Sequence, residues 1–262
     1  MILANKVAVM YGAGGSVGSA VARAFARAGA RLFLSGQGLE KVEALAADIT
    51  RLGGNAEAAR VDALDEDAVE RHVGAVADKA GRIDVSFNAI APCRGVPKAP
   101  LLELSTAEFE LPITTYTRSS LFTARSAARR MVSQRSGVIL TITATPGCTP
   151  VPHVGGSALA YAALVALSRN LSVELGPLGV RCVCLMPNAI PETPLIRENF
   201  ARYAKAAGVT PLEYLARFEA MTHTRRLTTL DELANAAVFA ASDQASALTG
   251  TVLNLTAGVV VN

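Results

Sequence analysis

The sequence predicts a three-layer α/β/α fold, a single domain built on one doubly wound sheet of parallel strands with helices on both faces. Three observations lead there. Short apolar runs alternate with longer amphipathic ones from end to end of the chain. A glycine-rich turn, Gly12-Ala13-Gly14-Gly15-Ser16-Val17-Gly18, separates the first apolar run from the first amphipathic one. A hydrophobic content of 51% against 18% charged residues supports a sizeable core in 262 residues. Strand-then-helix alternation makes the strands parallel, joined by right-handed crossovers.

Taken in order, Lys6–Met10 is a short apolar strand, followed by the glycine turn and a helix through Val17–Ala28. Arg31–Ser35 is the second strand, with a helix through Leu39–Leu52. Ala56–Val61 is the third, followed by a helix over Asp65–Lys79, and Ile83–Asn88 is the fourth. A loop with Pro92, Pro97 and Pro100 precedes a long helix over Ser105–Gln134. Val138–Thr143 is the fifth strand; a helix through Gly156–Leu175 leads to the sixth, Val180–Met186. Helical pieces near Leu195–Ala206 and Pro211–Met221, a helix over Leu230–Ala241 and a strand at Thr251–Leu255 complete the chain.

Composition excludes several function classes. The net charge is only +3, and the basic residues are scattered, with Arg129-Arg130 and Arg225-Arg226 as mere doublets, so no nucleic-acid partner is expected. The N-terminus reads directly as a strand rather than a secretion signal. No apolar run reads as membrane-spanning, since the helix after Ala158 meets Arg169 and Glu174. Cys93, Cys148, Cys182 and Cys184 form no CxxC pair, and Cys182 and Cys184 alternate along a strand so that both face one packed layer; free thiols and a cytoplasmic location are expected. His72, His153 and His223 are isolated, so no metal site is expected, and His153 is expected at the surface.

The glycine turn is placed to bind a pyrophosphate: it turns tightly, and the helix that follows offers unpaired N–H groups. Asp62 follows the third strand, where a carboxylate can accept from an adenine amino group. Asn88-Ala89-Ile90-Ala91 ends the fourth strand, where backbone would approach a ribose. Ligands of such sheets sit at the carboxyl ends of the strands. The irregular region leaving the sixth strand, about residues 188–226, is therefore expected to form a substrate lid, against the alternative of a simple excursion. Its Phe200, Tyr203, Tyr214 and Phe218 suit an apolar ligand or, equally, a helix packing stripe.

At these residues the whole chain resembles the classical short-chain dehydrogenase/reductase family, a Rossmann-type fold. Gly12-x-x-x-Ser16-x-Gly18 is similar to the family's TGxxxGxG loop, with Tyr11 at the threonine and Ser16 at the middle glycine. Asp62 resembles its adenine-contacting aspartate, and Asn88-Ala89-Ile90-Ala91 its NNAG. Asn170–Arg181 is similar to its S-L-A-x-E-L-x-x-x-G-I-R segment, Pro187-Asn188 stands for its PG, and Leu248-Thr249-Gly250 for its ITG. The resemblance implies NAD or NADP as cofactor, held by Gly12, Gly14, Gly15, Ser16, Val17, Gly18, Gln37, Asp62, Asn88, Ala89, Pro187 and Ile190. Gly36 and Gln37 stand where the family discriminates between the two, and neither carries a charge.

The family's chemistry uses a tyrosine, a lysine four residues later, a serine thirteen residues before the tyrosine, and an asparagine on the long helix. The lysine brings a phenol of pKa about 10 into working range. Aligned from both flanks without a gap, the serine place is Ala144, the tyrosine place Ser157, the lysine place Tyr161 and the asparagine place Tyr116. The lysines are Lys6, Lys41, Lys79, Lys98 and Lys205, none of them on this helix. Ser157 and Tyr161 lie one turn apart on one helix face, and with Tyr116 they are the candidate catalytic residues; the alternative is that both tyrosines simply fill space.

Three functions stay open. The first is a divergent NAD(P)-dependent oxidoreductase acting on a small, apolar molecule that needs little proton assistance, such as an activated alkene or iminium. The second is a non-redox isomerase or lyase. The third is a silent binding or scaffold protein paired with an active relative. The resemblance also implies a homodimer or homotetramer formed through the two long helices carrying Tyr116 and Tyr161.

Overall fold

A computed structural model of the chain describes residues 1–91 and 99–261. Pro92, Cys93 and Pro97 of the proline-rich loop lie outside the described residues. The elements run β1 (Val7–Tyr11), α1 (Ser16–Arg27), β2 (Arg31–Gly36), α2 (Leu39–Arg51), β3 (Asn55–Arg60), α3 (Glu66–Ala80), β4 (Val85–Asn88) and α4 (Thr106–Gln134). They continue β5 (Gly137–Ile142), α5 (Ser157–Leu175), β6 (Val180–Pro187), α6 (Pro194–Ala206), α7 (Pro211–Ala220), α8 (Leu230–Ala241) and β7 (Thr251–Leu255). The seven strands are all parallel in the order β3-β2-β1-β4-β5-β6-β7. The order reverses direction between β1 and β4, which opens a crevice at their carboxyl ends.

The period of two along the strands divides the core into two layers. Ala8, Met10, Leu32, Leu34, Val183 and Leu185 pack with α1, α2 and α8 on one face. Val7, Val9, Tyr11, Phe33, Ile139 and Cys182 pack with α3 and α4 on the other. Cys182 and Cys184 are both fully buried, and burial pushes each thiol up to about 12.

Boundaries differ from the sequence expectation by a residue or two. β4 begins at Val85 because Asp84 is spent on its surroundings: its carboxylate accepts the Val7 N–H at 2.8 Å and pairs with Arg82. Several helix starts are capped by their own side chains. Ser105 and Glu108 cap α4 reciprocally, as do Thr210 and Glu213 on α7 and Thr229 and Glu232 on α8.

By length and composition alone the stretch Ser157–Leu178 is long and apolar enough to cross a membrane. It carries Arg169 and Glu174 and packs on α4 and β6 as one helix of the outer layer.

Candidate functional site

The glycine turn is built around two close approaches. Gly12 has φ +70°, and a Cβ there would sit 2.8 Å from the Ala89 carbonyl oxygen. A Cβ on Gly18 would run into the Gly12 carbonyl. Both positions therefore require glycine, one for its left-handed backbone and one for packing of α1 on the turn. Gly14 lies against α2, where its Cβ would be 3.1 Å from Lys41 Cβ, and Gly15 is the exposed residue preceding α1. No side chain caps α1 and no acid stands in its first turn, so the N–H groups at Ser16, Val17 and Gly18 face a place suited to an anion. The Ala13 N–H donates to the Ser35 carbonyl at 3.0 Å, which fixes the turn on β2.

On the β2–β3 side, Gly36 is buried and Gln37 exposed at the entry to α2. Asp62 is exposed past β3; one carboxylate oxygen accepts the Leu64 N–H at 2.9 Å. Asn88 is spent internally: its amide donates to Thr123 Oγ1 at 3.1 Å and accepts the Ile90 N–H at 2.8 Å. It thus pins β4 to α4 and leaves backbone around Ala89 to meet a ligand. Ile190 packs its side chain into the core, and its carbonyl accepts from the Thr193 hydroxyl at 2.8 Å. Pro187 ends β6 beside β7.

Asn188 is the residue that sequence reasoning undervalued. It is 6% exposed, and its Nδ2 finds no hydrogen-bond partner. A buried unpaired amide is costly, by about 1–3 kcal/mol. Its backbone N–H continues the ladder to Leu255, so it follows the strand alternation and shares a side with Met186. The sequence signal was a polar side chain where the family has glycine.

At the β5 end the structure joins two of the four predicted places, Tyr116 and Tyr161. Ala144 precedes a 3₁₀ turn, Thr145–Gly147, that lies against α5; a Cβ on Gly147 would be 2.9 Å from Tyr161 Cβ. Thr143 Oγ1 donates to the Tyr161 carbonyl at 2.9 Å. Gly156 packs directly on the Phe109 carbonyl and so draws α5 onto α4. That contact brings Tyr116 and Tyr161 together, with hydroxyls 3.1 Å apart and ring centroids 5.2 Å apart. Burial raises the Tyr161 phenol above its ordinary range, and the hydrogen bond with Tyr116 only partly offsets this. Ser157 opens α5, half-buried, and its side chain joins neither tyrosine. Cys148 is exposed, with Sγ 3.8 Å from Met186 Sδ. His153 is exposed on the approach to α5, as expected. Among the described residues no group of metal-ligating side chains forms.

The four aromatics of residues 188–226 pack on one another across α6 and α7. Phe200 meets Phe218 at 5.1 Å and Tyr214 at 5.4 Å, and Tyr203 stacks on Tyr214 at 6.0 Å between centroids. They form a helix packing stripe. A cavity of about 380 Å³ lies at the amino ends of the strands, lined by Lys6, Asp84, Arg181 and Asp243. It sits on the sheet edge opposite the glycine turn, and its charges pair among themselves or with backbone.

With this geometry in place, the comparisons agree with one another. Residues 12–260 match the family profile described as enoyl-(acyl carrier protein) reductase. L-rhamnose 1-dehydrogenase (NAD(P)(+)) of Azotobacter vinelandii is 31% identical over 100% of this chain and 99% of its own length. Peroxisomal 2,4-dienoyl-CoA reductase of Saccharomyces cerevisiae is 30% identical over 97% of this chain and 84% of its own. The crystal structure of sorbitol-6-phosphate 2-dehydrogenase from Erwinia amylovora superposes with a TM-score of 0.90 at 26% identity, covering 97% of this chain and 100% of that one. The chain belongs to the short-chain dehydrogenase/reductase family, whose members are oxidoreductases.

Proposed function

We propose that this protein is a divergent NAD(P)-dependent oxidoreductase that reduces an activated carbon–carbon double bond in a small, apolar molecule, with the family's usual asparagine, serine, tyrosine and lysine replaced by Tyr116, Ala144, Ser157 and Tyr161. The observation that carries the reading is the pair of phenols 3.1 Å apart, one on each of two helices that carry no lysine. A phenol whose pKa is raised stays protonated at neutral pH. It is a poor base for oxidising an alcohol and a serviceable donor to a strongly basic carbanion. The yeast relative is named a 2,4-dienoyl-CoA reductase and the matching profile an enoyl reductase, which favours an alkene over a ketone.

The nicotinamide, when bound, supplies a hydride. The residues of the glycine turn fit its pyrophosphate, since a Cβ at Gly12 or Gly18 would fill the cradle, and the unpaired Asn188 amide suits a polar group at the carboxyl end of β6. The chain then has one chemical task. Tyr161 would give its proton to the α-carbon of the activated alkene, and Tyr116, hydrogen-bonded to it, would return a proton to Tyr161. The segment over residues 188–226 closes above this crevice as a lid.

The outer faces of α4 and α5 suit a homodimer or homotetramer. Leu159 and Val173 on α5, with Leu121 on α4, are exposed in the single chain.

The test is stoichiometric NAD(P)H consumption against a panel of α,β-unsaturated carbonyls and matched ketones. Turnover of the alkenes is expected, with ketones slower by about 10²-fold or more. Ketones reduced as fast as alkenes would sink the substrate class. Product formation without change in nicotinamide absorbance would turn the reading to a non-redox enzyme.

A further inference from the structure

We propose that this chain selects NADP(H) over NAD(H), with Arg60 and Lys41 as the residues that hold the 2′-phosphate across Gly36. The inference rests on the dinucleotide reading above and goes beyond it, because neither residue stands at a discriminating place along the sequence.

Strand register brings Arg60 there. Gly36, the last residue of β2, is the Cα partner of Arg60, the last residue of β3. Laterally paired residues of a parallel sheet project to the same side. That side is given by Ala56 and Ala58, which pack with the α1, α2 and α8 layer, and by Gly36 itself, whose Cβ would face Val42 of α2. An acid at position 36 would occupy this side and bind ribose hydroxyls. Here there is no side chain, and the exposed Arg60 is the lateral neighbour of the gap. Lys41 flanks it from α2, its Cβ against Gly14 of the pyrophosphate turn. Gly38 between them has open space where a Cβ would be.

Both cations are available. Among the described residues neither the Arg60 nor the Lys41 side chain enters an ion pair or hydrogen bond. Basic groups elsewhere on these elements are engaged: Arg31, at the opposite end of β2, and Lys79 with Glu57, and Arg23 and Arg51 with Asp48. The acids nearby in sequence are Glu40 in the first turn of α2 and Asp62 beyond β3, the latter holding the Leu64 N–H. A phosphate dianion thus meets a guanidinium able to bind it through two N–H groups and an ammonium as a second charge.

The test is calorimetric titration of the full chain with adenosine 2′,5′-bisphosphate and 5′-AMP, and with NADPH and NADH. The bisphosphate is expected to bind about tenfold or more tightly than AMP, the strength of one good charged contact, and NADPH to exceed NADH likewise. The advantage should shrink as salt rises. Arg60→Ala and Lys41→Ala should each erode it while leaving AMP affinity and melting temperature unchanged, since both side chains are exposed. Gly36→Asp should reverse the preference. Equal binding of bisphosphate and AMP, or an advantage that survives loss of both cations, would overturn the selection and leave the dinucleotide reading standing. No binding of any of the four would remove both.

Discussion

The hydroxyls of Tyr116 on α4 and Tyr161 on α5 lie 3.1 Å apart, in contact across the helix pair that the Gly156–Phe109 packing draws together. Two phenols sharing a hydrogen bond divide the work unequally, because only one can face the reacting carbon. Tyr161→Phe is expected to lower alkene reduction by about 10²–10⁴-fold, and Tyr116→Phe by much less. Because burial holds the Tyr161 pKa up, wild-type kcat should stay flat from about pH 6 to 9. Tyr161→Phe loses the hydroxyl–hydroxyl hydrogen bond, about 0.5–1.5 kcal/mol in urea unfolding. Full turnover in Tyr161→Phe would remove it as the donor.

Gly18→Ala tests the cradle. Its methyl would collide with the Gly12 carbonyl and lie 2.9 Å from Ala13 Cα, backbone that cannot yield without moving the turn. A loss of about 1–3 kcal/mol in stability is expected, together with weakened nucleotide binding by calorimetry. Gly15→Ala, whose methyl would sit 3.3 Å from the same oxygen, should be milder on both counts. Equal nucleotide affinity in wild type and Gly18→Ala would contradict the assignment of this turn to the pyrophosphate.

His72 supplies an acid-side dependence of stability. Burial beside Tyr11 lowers its pKa from 6.5 to about 4, and its Nε2 has no hydrogen-bond partner. The unfolded chain therefore binds a proton between pH 6.5 and about 4 that the folded chain refuses. Stability is full above 6.5 and falls as pH drops through that window, by up to about 3 kcal/mol. In His72→Gln this part of the fall should vanish. Identical pH profiles of urea midpoints for the two proteins would show that His72 titrates normally.

The α4–α5 face predicts association. Val173 is 77% and Leu159 50% exposed in the isolated chain, so replacing either leaves the fold's core untouched. Wild type should sediment as a dimer or tetramer, and Val173→Glu should shift it towards monomer with an unchanged far-ultraviolet dichroism spectrum. A wild-type protein that is monomeric at micromolar concentration would rule out this surface as an interface.

How much of this was legible beforehand depends on distance along the chain. The glycine turn and the buried alternation of Cys182 and Cys184 are local patterns, and each appears where the sequence puts it. The aromatics of residues 188–226 were ambiguous, since a packing stripe and a ligand wall have the same spacing; only the facing of α6 and α7 assigns Phe200, Tyr214 and Phe218 to packing. The apolar length of Ser157–Leu178 was underestimated because its charges, Arg169 and Glu174, are few and spaced along a helix that also faces outward.

The sequence by itself determined the parallel α/β layers and the order of the elements. Apolar periodicity and turn chemistry act over a few residues, so they can be read one window at a time. Tertiary structure alone decided which polar groups meet. Tyr116 and Tyr161 are 45 residues apart, Gly36 and Arg60 are joined only by strand register, and the Asn188 Nδ2 lies buried without a partner just past the end of β6. Those relationships depend on how the helices cross and the strands align, which no single stretch of sequence encodes.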